Sequence, residues 1–398
     1  MTTPLRILVI SNFYPPQVLG GYERSIADFS RLLHHRGHTV LVLTSDTPQF
    51  SASHTSQYPD PKVDRCLTLM AEWAADGAQW LEHDRVIALN QQNQCTLQQQ
   101  IQAFQPNVCL AGNLDGLQVE TEILEVLLGA QIPVAHYIMN GSLGYAWELT
   151  PQQSTFCFLT CSDWLTRKLA SSNYPTHSTR TIYPGADVEA FYQSELPPRD
   201  RLRIAYASLV APYKGTDVLL EALSLLHNAG VDFEATIAGG TFVPEFAEAL
   251  KEFVVAEGMQ AKVRFTGVLS RQELIELYKT HNVLAFPSRF EEPFGISQIE
   301  AMAAGLTLVT SGTGGAREIV SVSGQDGLLF ESENPLDLAD VLAALPIEPE
   351  RWAAIAACGQ QRAMTEFSQT KAVEQLEQVL YHLMLQPWTP QVPQSSLH

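Results

Sequence analysis

The sequence is poor in charged residues and lacks any long hydrophobic run. Only 17% of its 398 residues are charged and 45% are hydrophobic, a balance typical of a folded globule and not of a disordered chain. No apolar run approaches the roughly 20 residues that a membrane-spanning helix needs, so we expect no integral membrane segment. The apolar run from Arg6 to Ile10 is too short for a signal peptide. These absences predict a cytoplasmic protein.

Basic residues are scarce as well. Lys and Arg number 24 against 43 Asp and Glu, which gives a formal net charge of −19 at pH 7. A chain this acidic repels nucleic acid unless its basic residues cluster. The most basic stretch, Arg31 to His38, is better explained as the end of a helix, where cations face the carbonyl end of the dipole. We expect no nucleic-acid partner.

Signals for a metal or a redox site are missing. The six cysteines form no C-x-x-C pair, and Cys157 and Cys161 fall on a strand-like run with no His at zinc-finger spacing. There is no D-x-D in a plausible loop and no obvious set of His and carboxylate ligands. The sequence therefore predicts reduced thiols, no metal and no cofactor.

The chain is rich, by contrast, in one repeated pattern. Its length exceeds the roughly 250 to 300 residues of a single core, so two domains with a cleft between them are expected. The apolar run from Leu5 to Ser11 suits a strand buried on both faces, and it is followed by a Pro and Gly loop and an amphipathic helix. A second strand, Thr39 to Thr44, completes a β-loop-α-β unit.

The pattern restarts at Leu202 to Ala207, after a polar stretch from Gln193 to Arg201 that suits a linker. Alternating strands and helices predict an α/β protein with two Rossmann-like, doubly wound domains. We expect an N-terminal domain over 1–192, a C-terminal domain over 202–368, a helix over 369–385 and a flexible tail over 386–398.

The region from Asp46 to Gln100 is harder to interpret. Its Ser, Gln and Pro content favours long loops, with a helix around Leu67 to Trp80. We expect no chemistry there.

The strongest motif runs from Pro287 to Gly305, where a buried strand ends, a loop follows and a helix begins. Ligands bind at this position in open parallel sheets. The N–H groups of Phe294, Gly295 and Ile296 at the start of this helix suit a diphosphate. Glu292 suits sugar hydroxyls, and Glu300, one turn beyond Ile296, suits the two ribose hydroxyls. Two carboxylates at this spacing also occur by chance, facing solvent or the helix dipole, but the strand, loop and helix around them make the pattern specific.

These residues resemble family 4 of the retaining glycosyltransferases (glycosyl transferase group 1), which have the GT-B fold. The resemblance covers nearly the whole chain. It is carried by motifs in the same order and spacing as in that family, namely Gly20-Gly21 with Glu23, Tyr183-Pro184-Gly185-Ala186-Asp187, Pro212-Tyr213-Lys214-Gly215, Ala238-Gly239-Gly240, Phe265-Thr266-Gly267 and Gly314-Gly315-Ala316-Arg317-Glu318.

The resemblance implies two domains facing a cleft, a C-terminal helix that crosses back to the N-terminal domain, and Glu292 and Lys214 as catalytic residues. It implies a donor-binding set formed by Gly20, Gly21, Ser208, Lys214, Gly239, Glu292, Phe294, Gly295, Ile296, Ser297 and Glu300. Lys214 matches the lysine that grips the diphosphate, which a compact cation on a flexible stem suits. Ser208 stands where the family often has Arg, and Arg289 and Arg317 are the candidates to replace that charge.

The acceptor side is less defined. Met139 and Asn140 fill places where the family often has His-Asp, and His136 lies three residues too early, so we interpret it as a core histidine. The resemblance implies metal-independent, retaining transfer of a sugar from a UDP- or GDP-linked donor to a saccharide, a lipid-linked saccharide or a small-molecule hydroxyl. A GT-B phosphorylase and a non-catalytic nucleotide-sugar-binding subunit are the alternatives.

Overall fold

The protein is described from a computed structural model, which covers residues 3–51, 58–74, 77–141 and 143–385. The tail 386–398, predicted to be flexible, lies outside these residues. The chain forms two compact units. Unit 1 runs to Pro184 and takes up the chain again at Thr370, and unit 2 runs from Gly185 to Gln369.

Unit 1 is built on a parallel sheet of seven strands in the order β3-β2-β1-β6-β7-β8-β9. Its strands are β1 (Arg6–Ile10), β2 (Thr39–Ser45), β3 (Lys62–Leu67), β6 (Val108–Ala111), β7 (Val134–Ile138), β8 (Phe156–Thr160) and β9 (Arg180–Thr181), and β4 (Ala71–Ala74) and β5 (Gly77–Trp80) form a separate antiparallel hairpin. Its helices are α1 (Gly21–His35), α2 (His83–Phe104), α3 (Glu122–Gly129) and α4 (Asp163–Ser171).

The predicted pattern explains why these elements form. The β1 residues from Ile7 to Ile10 are completely buried, as a parallel strand covered on both faces requires. Helix α1 buries Ile26, Phe29 and Leu33, and Gly37 follows its end with a φ of +97°, a left-handed conformation that glycine adopts without strain.

The helix predicted around Leu67 to Trp80 is wrong. The structure has the β4–β5 hairpin there, in which Ala71 is paired with Trp80. The backbone N–H of Met70 donates to the carbonyl of Gly116 at 2.7 Å, and that of Leu81 donates to Met70 at 3.0 Å. Long-range hydrogen bonds therefore decide this segment, and local composition does not reveal them.

Unit 2 has a parallel sheet of six strands in the order β12-β11-β10-β13-β14-β15. Its strands are β10 (Leu202–Ala207), β11 (Phe233–Ala238), β12 (Val263–Gly267), β13 (Val283–Phe286), β14 (Thr307–Thr310) and β15 (Leu328–Leu329). Its helices are α5 (Val188–Phe191), α6 (Thr216–Asn228), α7 (Pro244–Ala256), α8 (Arg271–Thr280), α9 (Ile296–Ala303), α10 (Pro335–Ala344) and α11 (Pro349–Glu366). Two doubly wound parallel sheets confirm the predicted α/β class.

The last helix, α12 (Gln369–Leu385), belongs to unit 1 from Thr370 onward. Glu377 on this helix accepts hydrogen bonds from Arg36 at 2.8 Å and from His38 Nε2 at 2.7 Å. Tyr381 donates to the carbonyl of Thr3 at 2.7 Å. Chain ends far apart in sequence therefore share one unit.

Candidate active site

The order of the strands in unit 2 selects the position of the site. Strand β10 pairs with β11 on one side and with β13 on the other, so the connections diverge between β10 and β13. The loops that leave the carboxyl ends of these two strands lie at this switch point, where open α/β sheets bind ligands. These loops carry Ser208, Lys214 and Glu292.

Lys214 and Glu292 form an ion pair, although 78 residues separate them in sequence. The Lys214 ammonium donates to Glu292 Oε1, which also accepts from Ser288 Oγ at 2.7 Å. Only 14% of the lysine side chain and 9% of the glutamate side chain are exposed. The sequence motifs predicted each residue as a ligand for the donor, but not that they contact each other.

Two aromatic rings flank the lysine. Its ammonium lies 5.4 Å from the ring centroid of Tyr213 and 5.4 Å from that of Phe290. Both rings are about half exposed, at 45% and 47%. Together with Pro212, Arg289 and Glu291 they line a cavity of about 470 Å³. Sequence reasoning missed Tyr213 and Phe290, although each sits beside a predicted site residue.

Helix α9 begins where the motif predicts. Gly295 is its N-cap residue and has a φ of +105°, a left-handed conformation that favours glycine. Phe294 is buried, whereas Ile296 and Ser297 in the first turn are half-buried. The unpaired N–H groups of a helix start and its dipole favour an anion at this end.

Glu300 lies on the same helix and is half-buried. Burial raises the pKa of the Tyr278 phenol, and the charge of Glu300 raises it further. Glu300 therefore faces a partly buried environment that includes Tyr278 and not solvent alone. Its predicted contact with ribose stays a prediction.

Gly239 allows two loops to approach closely. A Cβ at this position would overlap the carbonyl oxygen of Ser208. The N–H of Ser208 donates to Ala238 at 3.2 Å, and the N–H of Gly239 donates to Gly267 at 2.9 Å. Ser208 also hydrogen bonds the Tyr206 phenol. The structure thus places Ser208 and Gly239 together at the carboxyl ends of β10 and β11.

The two arginines considered as substitutes for the family arginine have partners in this structure. Arg289 donates to both carboxylate oxygens of Asp217 at 2.8 Å and pairs with Glu333 at 2.9 Å. Arg317 donates to the carbonyl of Val320 at 2.5 Å. Two carboxylates therefore hold Arg289 and a backbone carbonyl holds Arg317, whereas Lys214 is paired with Glu292 at the switch point.

The backbone of a glycine loop contacts the backbone of Glu292. The N–H of Gly315 donates to the Glu292 carbonyl at 2.7 Å, and a Cβ on Gly314 would lie 2.5 Å from the same oxygen. The motif Gly314-Gly315 was noted in the sequence, but its contact with Glu292 was not predicted.

Gly20 and Gly21 belong to unit 1, whereas the other predicted donor-binding residues belong to unit 2. Gly20 caps α1 and its N–H donates to Glu23 Oε2 at 2.9 Å. Its φ of −159° is extended, a conformation that any residue adopts. Gly21 is exposed at the first position of α1.

His136 lies in the core, as interpreted from the sequence. It is 3% exposed, and Tyr145 lies within 3.4 Å of its Nδ1. Burial lowers the pKa of this imidazole to about 3, against which a backbone hydrogen bond at Gly112 acts only partly. The ring is therefore neutral at physiological pH.

No group of three or more His, Cys, Asp or Glu residues within the described ranges is arranged to hold a metal ion. Among the same residues, no helix combines the length and the apolar composition needed to cross a bilayer.

The geometry at the switch point agrees with comparison to known proteins. Residues 187–362, nearly all of unit 2, match the family model of glycosyl transferases group 1. This segment belongs to the group 1 glycosyl transferases. The family match thus covers Ser208, Lys214, Gly239 and the whole motif from Glu292 to Glu300.

Curated relatives of this group 1 segment are named glycosyltransferases. The D-inositol 3-phosphate glycosyltransferase of Corynebacterium glutamicum is 29% identical over 178 residues, which are 41% of this chain and 42% of the relative. The chain spans about half the length of such relatives, for example 50% of the one from Catenulispora acidiphila. A GDP-mannose-dependent phosphatidylinositol monomannoside mannosyltransferase of Mycobacterium tuberculosis is 26% identical over 391 residues, 89% of this chain and 93% of the relative.

Solved structures share the whole fold. A glycosyltransferase from Rickettsia africae covers 96% of this chain and 100% of its own, at 15% identity and a TM-score of 0.78. Anabaena Alr3699/HepE, solved with UDP and glucose, covers 95% and 99%, at 18% identity and a TM-score of 0.71. The chain has the GT-B fold, as the sequence resemblance implied.

Proposed function

We propose that this chain is a retaining glycosyltransferase that moves a sugar from a UDP- or GDP-linked donor to a hydroxyl acceptor without a metal ion. The observation that carries the proposal is the Lys214–Glu292 pair at the switch point of unit 2, next to the start of α9. One cation and one helix N-terminus suit a diphosphate, and the carboxylate suits sugar hydroxyls.

The ion pair supplies a ligand-dependent change at the site. When a donor binds, its diphosphate replaces Glu292 as the partner of the Lys214 ammonium, because phosphate carries more negative charge than a carboxylate. Glu292 is then available to accept hydrogen bonds from the sugar. The lysine and the helix start stabilise the charge that develops on the departing diphosphate. The leaving phosphate takes the proton of the acceptor, as the family resemblance implies.

Two similar proteins support the donor class. One relative is GDP-mannose-dependent, and one solved structure contains UDP and glucose. They leave UDP and GDP as alternatives for this chain. The ammonium of Lys214 and the start of α9 support metal independence, since both stabilise negative charge on the leaving diphosphate without a metal ion. The acceptor is a saccharide, a lipid-linked saccharide or a small-molecule hydroxyl.

The role of Glu292 is tested by replacing it with Gln, which keeps the shape and removes the charge. We expect Glu292→Gln to lower donor turnover at least about 100-fold, as loss of a transition-state contact does. Turnover is measured by product mass over a panel of UDP and GDP sugars in the presence of EDTA. Glu248→Gln is the matched control, because Glu248 is a carboxylate of unit 2 that is 65% exposed and does not line the cavity beside Lys214. Full activity of Glu292→Gln would refute this role.

Nucleotide binding tests the role of Lys214 and distinguishes the two alternative functions. In Lys214→Ala, affinity for UDP or GDP measured by calorimetry should fall about 10- to 100-fold, since a hydrogen bond to a charged group is lost. Lys279→Ala, which removes a lysine 43% exposed in unit 2, should bind like the parent. Nucleotide binding without turnover would indicate the non-catalytic subunit, and turnover that requires inorganic phosphate would indicate the phosphorylase.

A further inference from the structure

Unit 1 contains a cavity that the sequence did not predict. Its volume is about 270 Å³, and we call it the Trp80 pocket. The residues that define it here are Trp80, Leu114, Asp115, Glu120, Leu143 and Gly144.

The Trp80 pocket lies at the switch point of the unit 1 sheet. Strand β1 pairs with β2 on one side and with β6 on the other, and Leu114, Asp115 and Glu120 follow the carboxyl end of β6. Asn12, after β1, ties the two loops together. Its N–H donates to Asn113 at 2.7 Å and its side-chain amide donates to the Asp115 carbonyl at 3.1 Å. The position is again the one where such sheets bind ligands.

The β4–β5 hairpin brings an aromatic side chain to the pocket. Its base is held by the hydrogen bond from Met70 to Gly116. Trp80 is 53% exposed although its strand partner Ala71 is buried. An indole in this state offers a flat face that carries the negative end of a quadrupole. That face suits the C–H bonds on the apolar side of a sugar or cyclitol ring.

Asp115 supplies a carboxylate held in place for hydroxyl groups. Its Oδ2 accepts from the Asn140 side-chain amide at 3.1 Å. Gly144, with a φ of +74°, lies close to the other oxygen, since a Cβ there would be 2.9 Å from Oδ1. Burial raises the pKa of this carboxyl and so does the charge of Glu23, while the bond from Asn140 lowers it. Asn140, which replaces an acidic residue of the family pattern, thus orients this group.

The charge of the pocket selects among ligands. Two carboxylates, Asp115 and Glu120, line it, and none of the described lining residues is Lys, Arg or His. Lys168 approaches the neighbouring Gly141, but its ammonium lies over the Trp164 ring at 4.7 Å and does not line the pocket. A phosphorylated ligand would meet two like charges here and gain no cation.

We propose that the Trp80 pocket binds a neutral sugar or cyclitol ring, which stacks on Trp80 and donates hydroxyl protons to Asp115. The role of this ring as the acceptor of the transfer reaction rests on the proposed function, but its binding to the pocket does not. The volume is just below the roughly 300 to 1,000 Å³ of sites for drug-sized ligands, so it suits one ring. A neutral ring carries no phosphate group, unlike the D-inositol 3-phosphate after which the relative from Corynebacterium glutamicum is named.

The test compares neutral rings with their phosphates on the full chain. The probes are myo-inositol, glucose and mannose, each against D-inositol 3-phosphate, glucose 6-phosphate and mannose 6-phosphate, by NMR saturation transfer and calorimetry, with and without UDP and GDP. At least one neutral ring should bind about 10-fold more tightly than its phosphate. Trp80→Ala and Asp115→Asn should each weaken that binding about 10-fold.

Trp147→Ala is the matched control, since Trp147 is 43% exposed in unit 1 and does not line the pocket. Tighter binding of the phosphates, no binding of any neutral ring, or equal affinity in Trp80→Ala and the parent would overturn the proposal. Affinity for UDP or GDP separates the pocket assignment from the proposed transferase function, because Trp80→Ala should have the same nucleotide affinity as the parent. Failure of ring binding with intact UDP or GDP binding removes the pocket assignment alone. Ring binding without nucleotide binding removes the transferase alone.

Discussion

At the residue scale, two adjacent glycines after β11 have different reasons to be glycine. A Cβ on Gly239 would overlap the backbone oxygen of Ser208, which the sheet holds in place. A Cβ on Gly240 would meet Val268 Cγ2 at 2.8 Å, the end of a side chain that is 78% exposed and can rotate. A side chain at the first position is excluded by backbone atoms, whereas a side chain at the second position meets only a methyl group that can move.

We therefore expect Gly239→Ala to lower the free energy of unfolding by at least about 2 kcal/mol, because forced overlap with backbone costs as much as overpacking a core. Gly240→Ala should cost less than about 1 kcal/mol. Urea unfolding followed by far-UV circular dichroism compares the two variants. Equal midpoints would mean that the loop after β10 moves aside easily.

At the element scale, strand β7 contains a buried histidine whose protonation would destabilise the folded protein. His136 is neutral in the folded protein because burial lowers its pKa to about 3, whereas its ordinary value is 6.5. Below pH 6.5 the unfolded chain takes up a proton that the folded chain does not, so unfolding becomes more favourable as the pH falls. Stability from this group is complete above about pH 6.5 and is lost down to about pH 3.

The expected slope is about 1.4 kcal/mol of unfolding free energy per pH unit between those limits. In His136→Phe this part of the slope should vanish. The measurement is the urea midpoint at several values between pH 7 and pH 4 for both proteins. His177→Asn, at an exposed histidine of the same unit, should retain the slope of the parent. A slope unchanged in His136→Phe would assign acid sensitivity to other groups.

At the scale of the whole molecule, unit 1 is completed by the last helix. Val373, Leu376, Leu380 and Leu383 of α12 are buried. Burial alone would raise the pKa of Glu377, but its hydrogen bonds from Arg36 and His38 lower it overall, so its charged form stabilises the folded state. Apolar contacts and a charged hydrogen-bond cluster both hold the helix in unit 1.

In a chain that ends at Gln369, unit 1 should therefore fail to fold stably. Four apolar side chains at about 1.5 to 3 kcal/mol each amount to roughly the whole stability of a domain. A chain that ends at Leu385 is the control, and it removes only the tail predicted to be flexible. Thermal unfolding and size-exclusion chromatography report the result. Equal melting temperatures for the two chains would show that unit 1 does not depend on α12.

The sequence by itself determined much of the alternation of strands and helices and the place of the motif from Pro287 to Gly305 in that pattern. Strand β10 has the predicted bounds, because an apolar run between turn residues is a local signal. The start of α9 after its N-cap residue Gly295 was likewise predictable, since a strand, a loop and a helix follow one another there without a gap. Local patterns of this kind depend on neighbouring residues only.

Tertiary structure alone decided how distant residues combine. Strand order places Lys214 against Glu292, directs Arg289 to Asp217 and brings Trp80 beside Asp115. The hairpin of β4 and β5 depends on hydrogen bonds to a loop that is remote in sequence, so composition favoured a helix wrongly. Pairing of strands and of charges depends on the order of the sheet, and no local pattern of residues encodes that order.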